Sequence, residues 1–166
     1  LVVYEHVPSD VVGSLPLVLL LHGCSQSAAD YEGPSGWRAL ADEHGFALVA
    51  AEQPTLNNGG RCFNWFLDGD ISRDEGEAAS LASAVGYMLS SHDIDPARVF
   101  VTGVSAGGAM TAVMLATYPD LFAGGAIAML IDRQVHEGNI SRLTWALEHA
   151  KAQAGGAAMR RREAVT

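Results

Sequence analysis

Apolar and polar positions alternate between two periodicities along this chain. Leu15 to Leu21 (LPLVLLL) is an uninterrupted apolar run ending at His22-Gly23. Such a run suits a strand covered on both faces, as in a parallel sheet. Phe46 to Ala51 (FALVAA) and Arg98 to Thr102 (RVFVT) read as two more strands, and Ala123 to Ile131 as a Gly/Ala-rich one. Val2 to Val7 suits a short edge strand. The stretches between carry helical spacing. Ser35 to His44 places Trp37, Leu40 and Ala41 on one face and stops at Gly45. Glu75 to Ser91 places Leu81, Val85, Met88 and Leu89 on one face. Ala106 to Thr117 predicts a third helix and Asn139 to Gln153 a fourth. Asp93 to Pro96 predicts a turn. Residues 52–74, rich in Asn, Gly and Asp, predict a long loop, a feature more often functional than idle. The Gly155-Gly156 and triple-arginine tail is expected to be disordered.

Strands and helices in alternation predict an α/β fold with a doubly wound, mostly parallel sheet. Ligands of such sheets bind beyond the carboxyl ends of the strands. That places four segments together: residues 22–25, the 52–74 loop, residues 103–107, and the residues after Ile131. One of them is Gly103-Val104-Ser105-Ala106-Gly107, a G-x-S-x-G pattern between a predicted strand and a predicted helix. In that context the pattern is a nucleophile elbow, with Ser105 lifted above the sheet and small residues on either side of it. An acyl-transfer serine needs two backbone N–H donors for the developing oxyanion. Ala106 is expected to supply one, and Cys24 or Ser25 the other. His22 reads as an organiser of that loop rather than as a base.

Charge and composition narrow the field. The chain has 166 residues and a net charge of −9, which argues against nucleic acid as a partner. Residues 1–128 hold 15 acidic and 4 basic side chains, and residues 129–166 hold 4 and 6, so the last segment differs in character. No apolar run reaches the roughly 18 residues of a membrane helix, and no membrane association is expected. Nothing at the N-terminus reads as a signal peptide, although the first residue is not Met. The two cysteines, Cys24 and Cys62, do not have the spacing of a zinc site and allow one disulfide. No metal or cofactor is expected.

The motifs LHGCSQSAADYEGPSGWRALADEHGFALVAAEQP, CFNWF and DPARVFVTGVSAGGAMTAVMLATYPDLFAGGAI resemble the poly(3-hydroxybutyrate) depolymerase-like esterases, a group that includes feruloyl and acetylxylan esterases. The resemblance covers about residues 15–128. It implies an α/β-hydrolase fold, a secreted enzyme (extracellular or periplasmic) and ester hydrolysis through an acyl-serine. It also implies a disulfide between Cys24 and Cys62, and a substrate cleft lined by Trp65; the 52–74 loop, with Asn57, Asn58, Asn64 and Trp65, is expected to shape the acyl pocket. Core packing is the alternative for Trp65.

After Ala128 the motif pattern stops, so the division expected is a hydrolase core over 1–128 and a divergent, helical C-terminal segment over 129–166. The family's last strands, which carry its catalytic Asp and His, are not recognisable there. A serine hydroxyl still needs a base. His136, with Asp132 as the acid, is the pair placed after the last predicted strand; His149 is a further candidate. A sheet ending early leaves an unpaired edge, hence the expectation of a homo-oligomer. Two functions remain open: an ester hydrolase acting on polyesters, acylated carbohydrates or short-chain esters, and a hydrolase-fold segment that binds esters without turnover.

Overall fold

The computed structural model describes residues 1–9 and 11–128. Five strands form one sheet in the order β1-β3-β2-β4-β5: β1 Val2–His6, β2 Leu15–Leu21, β3 Ala47–Glu52, β4 Ile94–Val104 and β5 Gly124–Ala128. β1 pairs antiparallel with β3, and the other pairings are parallel. The sheet is therefore mixed but mostly parallel, as expected. From β2 the chain moves outward to β3 and then returns to the other side of β2 as β4. That reversal puts a topological switch point between the carboxyl ends of β2 and β4.

Side chains of the central strands alternate between two cores, although the strands themselves read as continuously apolar. Leu15, Leu17, Leu19 and Leu21 of β2 join Ala47, Val49 and Ala51 of β3 on one face. Helices α4 (Gly76–Ser91) and α5 (Ala106–Thr117) cover that face with Leu81, Val85, Met88, Met110, Val113 and Met114. Leu20, Leu48 and Ala50 face the other way, against α1 (Ala28–Glu32) and α2 (Trp37–His44). Each fully buried leucine contributes about 1.5–3 kcal/mol, so both faces of β2 resist a one-residue register slip.

Several boundaries differ from those predicted. β3 begins at Ala47 rather than Phe46 because the Phe46 N–H closes the end of α2 on the Ala41 carbonyl, next to Gly45 at φ 69°. Leu40, expected with Trp37 and Ala41 on the buried face of α2, is 40 % exposed, while Ala41 is buried as expected. Residues 94–96 of the expected turn lie within β4, where the partner of Leu15 is Ile94 and that of Leu17 is Val99. The Asp95 side chain holds this bulge, accepting from the Ala97 N–H at 2.9 Å and from Arg98 at 2.7 Å. Two short helices had no counterpart in the prediction. α1 starts from a capping box between Ser27 and Asp30, and α3 (Asp68–Ile71) lies inside the 52–74 loop. The predicted helix 139–153, the end of the last predicted strand, Asp132, His136 and His149 lie outside the described residues.

Candidate active site

β4 turns into α5 at a single residue, Ser105, with φ 56° and ψ −118°. A non-glycine residue rarely adopts positive φ, and holding one there costs roughly 1–3 kcal/mol. The turn is held on both sides: the Ser105 N–H donates to the Ala128 carbonyl of β5 at 2.9 Å, and its carbonyl accepts from Ala109 at 3.0 Å. Ser105 occupies the N-cap of α5, yet its hydroxyl makes no capping bond. The side chain is exposed.

The elbow depends on close backbone approach. A Cβ on Gly107 would overlap the carbonyl oxygens of Leu21 and His22, and one on Gly103 would overlap the Gly107 backbone. The end of β2 therefore presses directly against the elbow. A Cβ on Gly23 would stand 3.4 Å from the Ser105 Cβ and 2.9 Å from Gln26 Oε1. The loop after β2 and the serine are thus neighbours, as the switch-point rule requires.

Hydrogen bonds set the shape of that loop. His22 is buried; its Nε2 accepts from the Gln53 N–H at 3.0 Å, and its Nδ1 lies 2.7 Å from the Gly23 carbonyl. Because Nε2 is the acceptor, the proton sits on Nδ1 and is donated to Gly23. Burial holds the imidazole below the usual histidine range, partly offset by the Gly23 hydrogen bond and the charge of Glu52. With both nitrogens engaged, His22 has none to offer Ser105. The Gly23 N–H donates to Gln26 Oε1 at 2.8 Å. The Ser25 N–H, at φ 63°, donates to the Gly60 carbonyl at 2.9 Å. The N–H groups of Cys24 and Ala106 have no hydrogen-bond partner among the described residues.

Cys24 and Cys62 form a disulfide that ties this loop to the one after β3. The second loop is organised around Glu77, a buried acid in the first turn of α4. Its carboxylate accepts from Gln53 Nε2, from Asn57 Nδ2 at 2.9 Å and from the Asn64 N–H at 2.8 Å. Burial pushes the Glu77 carboxyl above the usual range, against the pull of the Asn64 and Gln53 bonds. Asn64 is itself buried, its Oδ1 accepting from Asn58 at 2.7 Å. Trp65 is half-buried against the main core and edge-on to Phe66, while Phe63 packs on the His22 ring.

Gln53, Gln26 and Glu77 were not singled out in the sequence. Glu77 had a legible signal, since it lies four residues before Leu81 on the apolar stripe of its helix. His6 and His92 pair with Asp42 and Glu5. With His44 at the end of α2, they belong to the amino edge of the sheet, away from Ser105.

Known proteins resemble this chain in sequence and fold. A family model described as Esterase PHB depolymerase matches residues 2–154, past the point where the motifs stop. Poly(3-hydroxyalkanoate) depolymerase C of Paucimonas lemoignei is 54 % identical over 123 residues, covering 74 % of this chain and 30 % of that protein. The acetylxylan esterase of Coprinopsis cinerea is 36 % identical over 126 residues, covering 75 % and 33 %. The chain thus spans about a third of the length of these relatives. Among solved structures, an acetyl xylan esterase from Aspergillus awamori superposes with a TM-score of 0.69 at 31 % identity, covering 74 % of this chain and 44 % of that one. An S-formylglutathione hydrolase from Staphylococcus aureus shares the fold, with a TM-score of 0.61 at 16 % identity over 96 % of this chain and 68 % of that one. With an α/β-hydrolase sheet, a G-x-S-x-G elbow and a family match along most of its length, the chain belongs to the Esterase PHB depolymerase family.

Proposed function

We propose that this chain is the nucleophile-bearing part of a carboxylic-ester hydrolase acting through an acyl-Ser105 intermediate. The observation that carries the reading is the elbow, where, among the described residues, an exposed serine at positive φ has an uncommitted hydroxyl beside two uncommitted N–H groups. Ser105 Oγ attacks the ester carbonyl and gives up its proton to a base. The oxyanion is held by the N–H groups of Ala106 and Cys24, each worth about 2.7–4 kcal/mol in the transition state. Collapse expels the alcohol, which takes the proton back, and water then releases the acid from Ser105 by the same route. Cys24 is favoured over Ser25 as donor because the Ser25 N–H is spent on Gly60. His136 as base and Asp132 as its acid are supported by their place in the sequence shortly after β5.

Trp65 is assigned to the cleft wall, supported by its half-buried position on the loop that the disulfide ties to Cys24. The buried Asn64 side chain supports the loop from within. Polyesters of hydroxyalkanoic acids head the substrate classes, because the relative at 54 % identity is a poly(3-hydroxyalkanoate) depolymerase. Acylated carbohydrates follow. Secretion, extracellular or periplasmic, is supported by the disulfide, which persists in oxidising compartments. Among the described residues no helix is long and apolar enough to cross a membrane, and the net charge of −9 disfavours nucleic acid. A homo-oligomer is part of the proposal, supported by β5, the outermost strand on its side among the described residues, with Ile127 46 % exposed. A strictly monomeric species in light scattering overturns that part.

Hydrolysis of a short-chain aryl ester by the wild type and by Ser105→Ala tests the central claim. Turnover and fluorophosphonate labelling are expected to vanish in the variant, and equal rates refute it. A second reading, ester binding without turnover, draws on one observation: His22, the described imidazole at the carboxyl edge, has both nitrogens engaged. It predicts an unlabelled Ser105 in the wild type.

A further inference from the structure

We propose, building on the ester-hydrolase reading, that Glu77 is a positioning residue that sets the shape of the 53–65 loop and so governs KM for esters with extended groups rather than the reactivity of Ser105. Apart from Glu77, the inward face of α4 is apolar: Ala78, Leu81, Val85 and Met88. A carboxylate in such a place is costly unless several donors meet it. Three do, and all come from the loop: the side chains of Gln53 and Asn57 on Oε1, and the Asn64 N–H on Oε2. The Glu77 N–H is anchored separately, on Asp70 Oδ1 at 3.0 Å.

The polarity of the cluster is fixed. Gln53 Nε2 also donates to the Cys62 carbonyl at 3.0 Å, which orients its amide and leaves Gln53 Oε1 to accept from Asn57 at 2.9 Å. Every partner of the Glu77 carboxyl is then a donor, and none can receive a hydrogen from it. A carboxamide of equal size does not substitute, because its NH2 would face either the Asn64 N–H or the two side-chain amides. The loop conformations compatible with this site are those that bring all three donors to it. Those donors flank Cys62, the partner of Cys24, and the last of them, Asn64, immediately precedes Trp65. The Gly23 carbonyl and N–H, by contrast, are held by His22 and Gln26, and the His22 ring is held by the backbone N–H of Gln53, not by the side-chain amide that meets Glu77. The expected consequence is a defect in substrate binding with the oxyanion site intact.

Glu77→Gln and Asn57→Ala in the full chain test this. Hydrogen exchange over residues 57–65 is expected to accelerate about tenfold in Glu77→Gln, the loss of one charge-assisted bond, while β2 and β4 keep their protection. KM for a hydroxybutyrate oligomer or a feruloyl ester should rise about tenfold with kcat within about threefold, and fluorophosphonate labelling of Ser105 should stay within about twofold. Asn57→Ala, at an exposed position, should shift exchange and KM in the same direction by less, and it decides the matter if Glu77→Gln does not fold. Unchanged exchange in both variants overturns the inference, as does a fall in kcat and labelling at constant KM. Wild-type protein that neither hydrolyses esters nor is labelled overturns the hydrolase reading and the KM claim with it. Normal wild-type turnover with unchanged exchange in the variants overturns this inference alone.

Discussion

The Nδ1 of His22 lies 2.7 Å from the carbonyl oxygen of Gly23, so the imidazole orients the peptide whose other end is the Cys24 N–H. The bond from the Gln53 N–H to Nε2 at 3.0 Å settles which nitrogen carries the proton. A buried histidine thereby acts on the proposed oxyanion donor without exchanging a proton with substrate.

Replacing His22 by Phe keeps a ring in the pocket but strands the Gly23 carbonyl and the Gln53 N–H, each a loss of about 1–3 kcal/mol. The melting temperature should fall. For the proposed esterase, kcat should drop by about 10–100-fold, since a displaced donor loses much of what removing one costs, while KM changes little. Steady-state kinetics with a short aryl ester decides this; an unchanged kcat sinks it.

Acid should reveal the same residue. Burial depresses the His22 pKa in the folded protein, whereas the unfolded chain takes up its proton near pH 6.5. The contribution of His22 to stability is therefore full above that pH and is lost as pH falls toward the depressed folded value, by up to about 1.4 kcal/mol per pH unit. Glu77 works in the opposite sense. Its pKa is raised, so its contribution is full below the ordinary carboxyl range and lost as pH rises from there through the raised folded value. Urea midpoints measured from about pH 7 down to about pH 5 should fall more steeply in the wild type than in His22→Phe. Parallel curves would show that His22 does not titrate this way.

Gly107→Ala should prevent folding rather than merely slow catalysis. The added Cβ meets the carbonyl oxygens of Leu21 and His22, both backbone atoms of a central strand end that cannot move aside. A loss above about 4 kcal/mol is expected. Soluble expression with a wild-type melting curve would refute it.

Removing the disulfide with Cys24→Ala and Cys62→Ala together releases a loop closed over a sequence separation of 38. Chain entropy alone assigns about 4 kcal/mol to such a closure. The denaturant midpoint should shift accordingly, and ester turnover should fall because the loop after β2 loses its tie to the loop after β3. A midpoint equal to the wild type would place the stabilisation elsewhere.

Local pattern carried much of this molecule. β2 and α5 appear at the residues predicted, and the G-x-S-x-G segment lies between strand and helix as the motif requires, because the signals involved span only a few neighbouring residues. Long-range packing accounts for the departures. Leu40 stays exposed because Ala41 takes the contact with β3. The expected turn at 93–96 becomes a bulge because Asp95 and Arg98 let β4 keep its pairing with β2. Asn64 faces inward because Asn58 donates to its side-chain oxygen and the Glu77 carboxylate accepts from its backbone N–H.

Ser105 as the residue at the elbow, the small residues around it and the alternation of strands and helices follow from adjacent residues in the chain, since steric limits at a tight turn and apolar runs act locally. The fold alone brings His22, Gln53 and Glu77 together and commits the Ser25 N–H to Gly60 while leaving that of Cys24 without a partner among the described residues. Those contacts join residues up to several tens of positions apart, and a hydrogen bond between buried groups exists only once the sheet has placed them within reach.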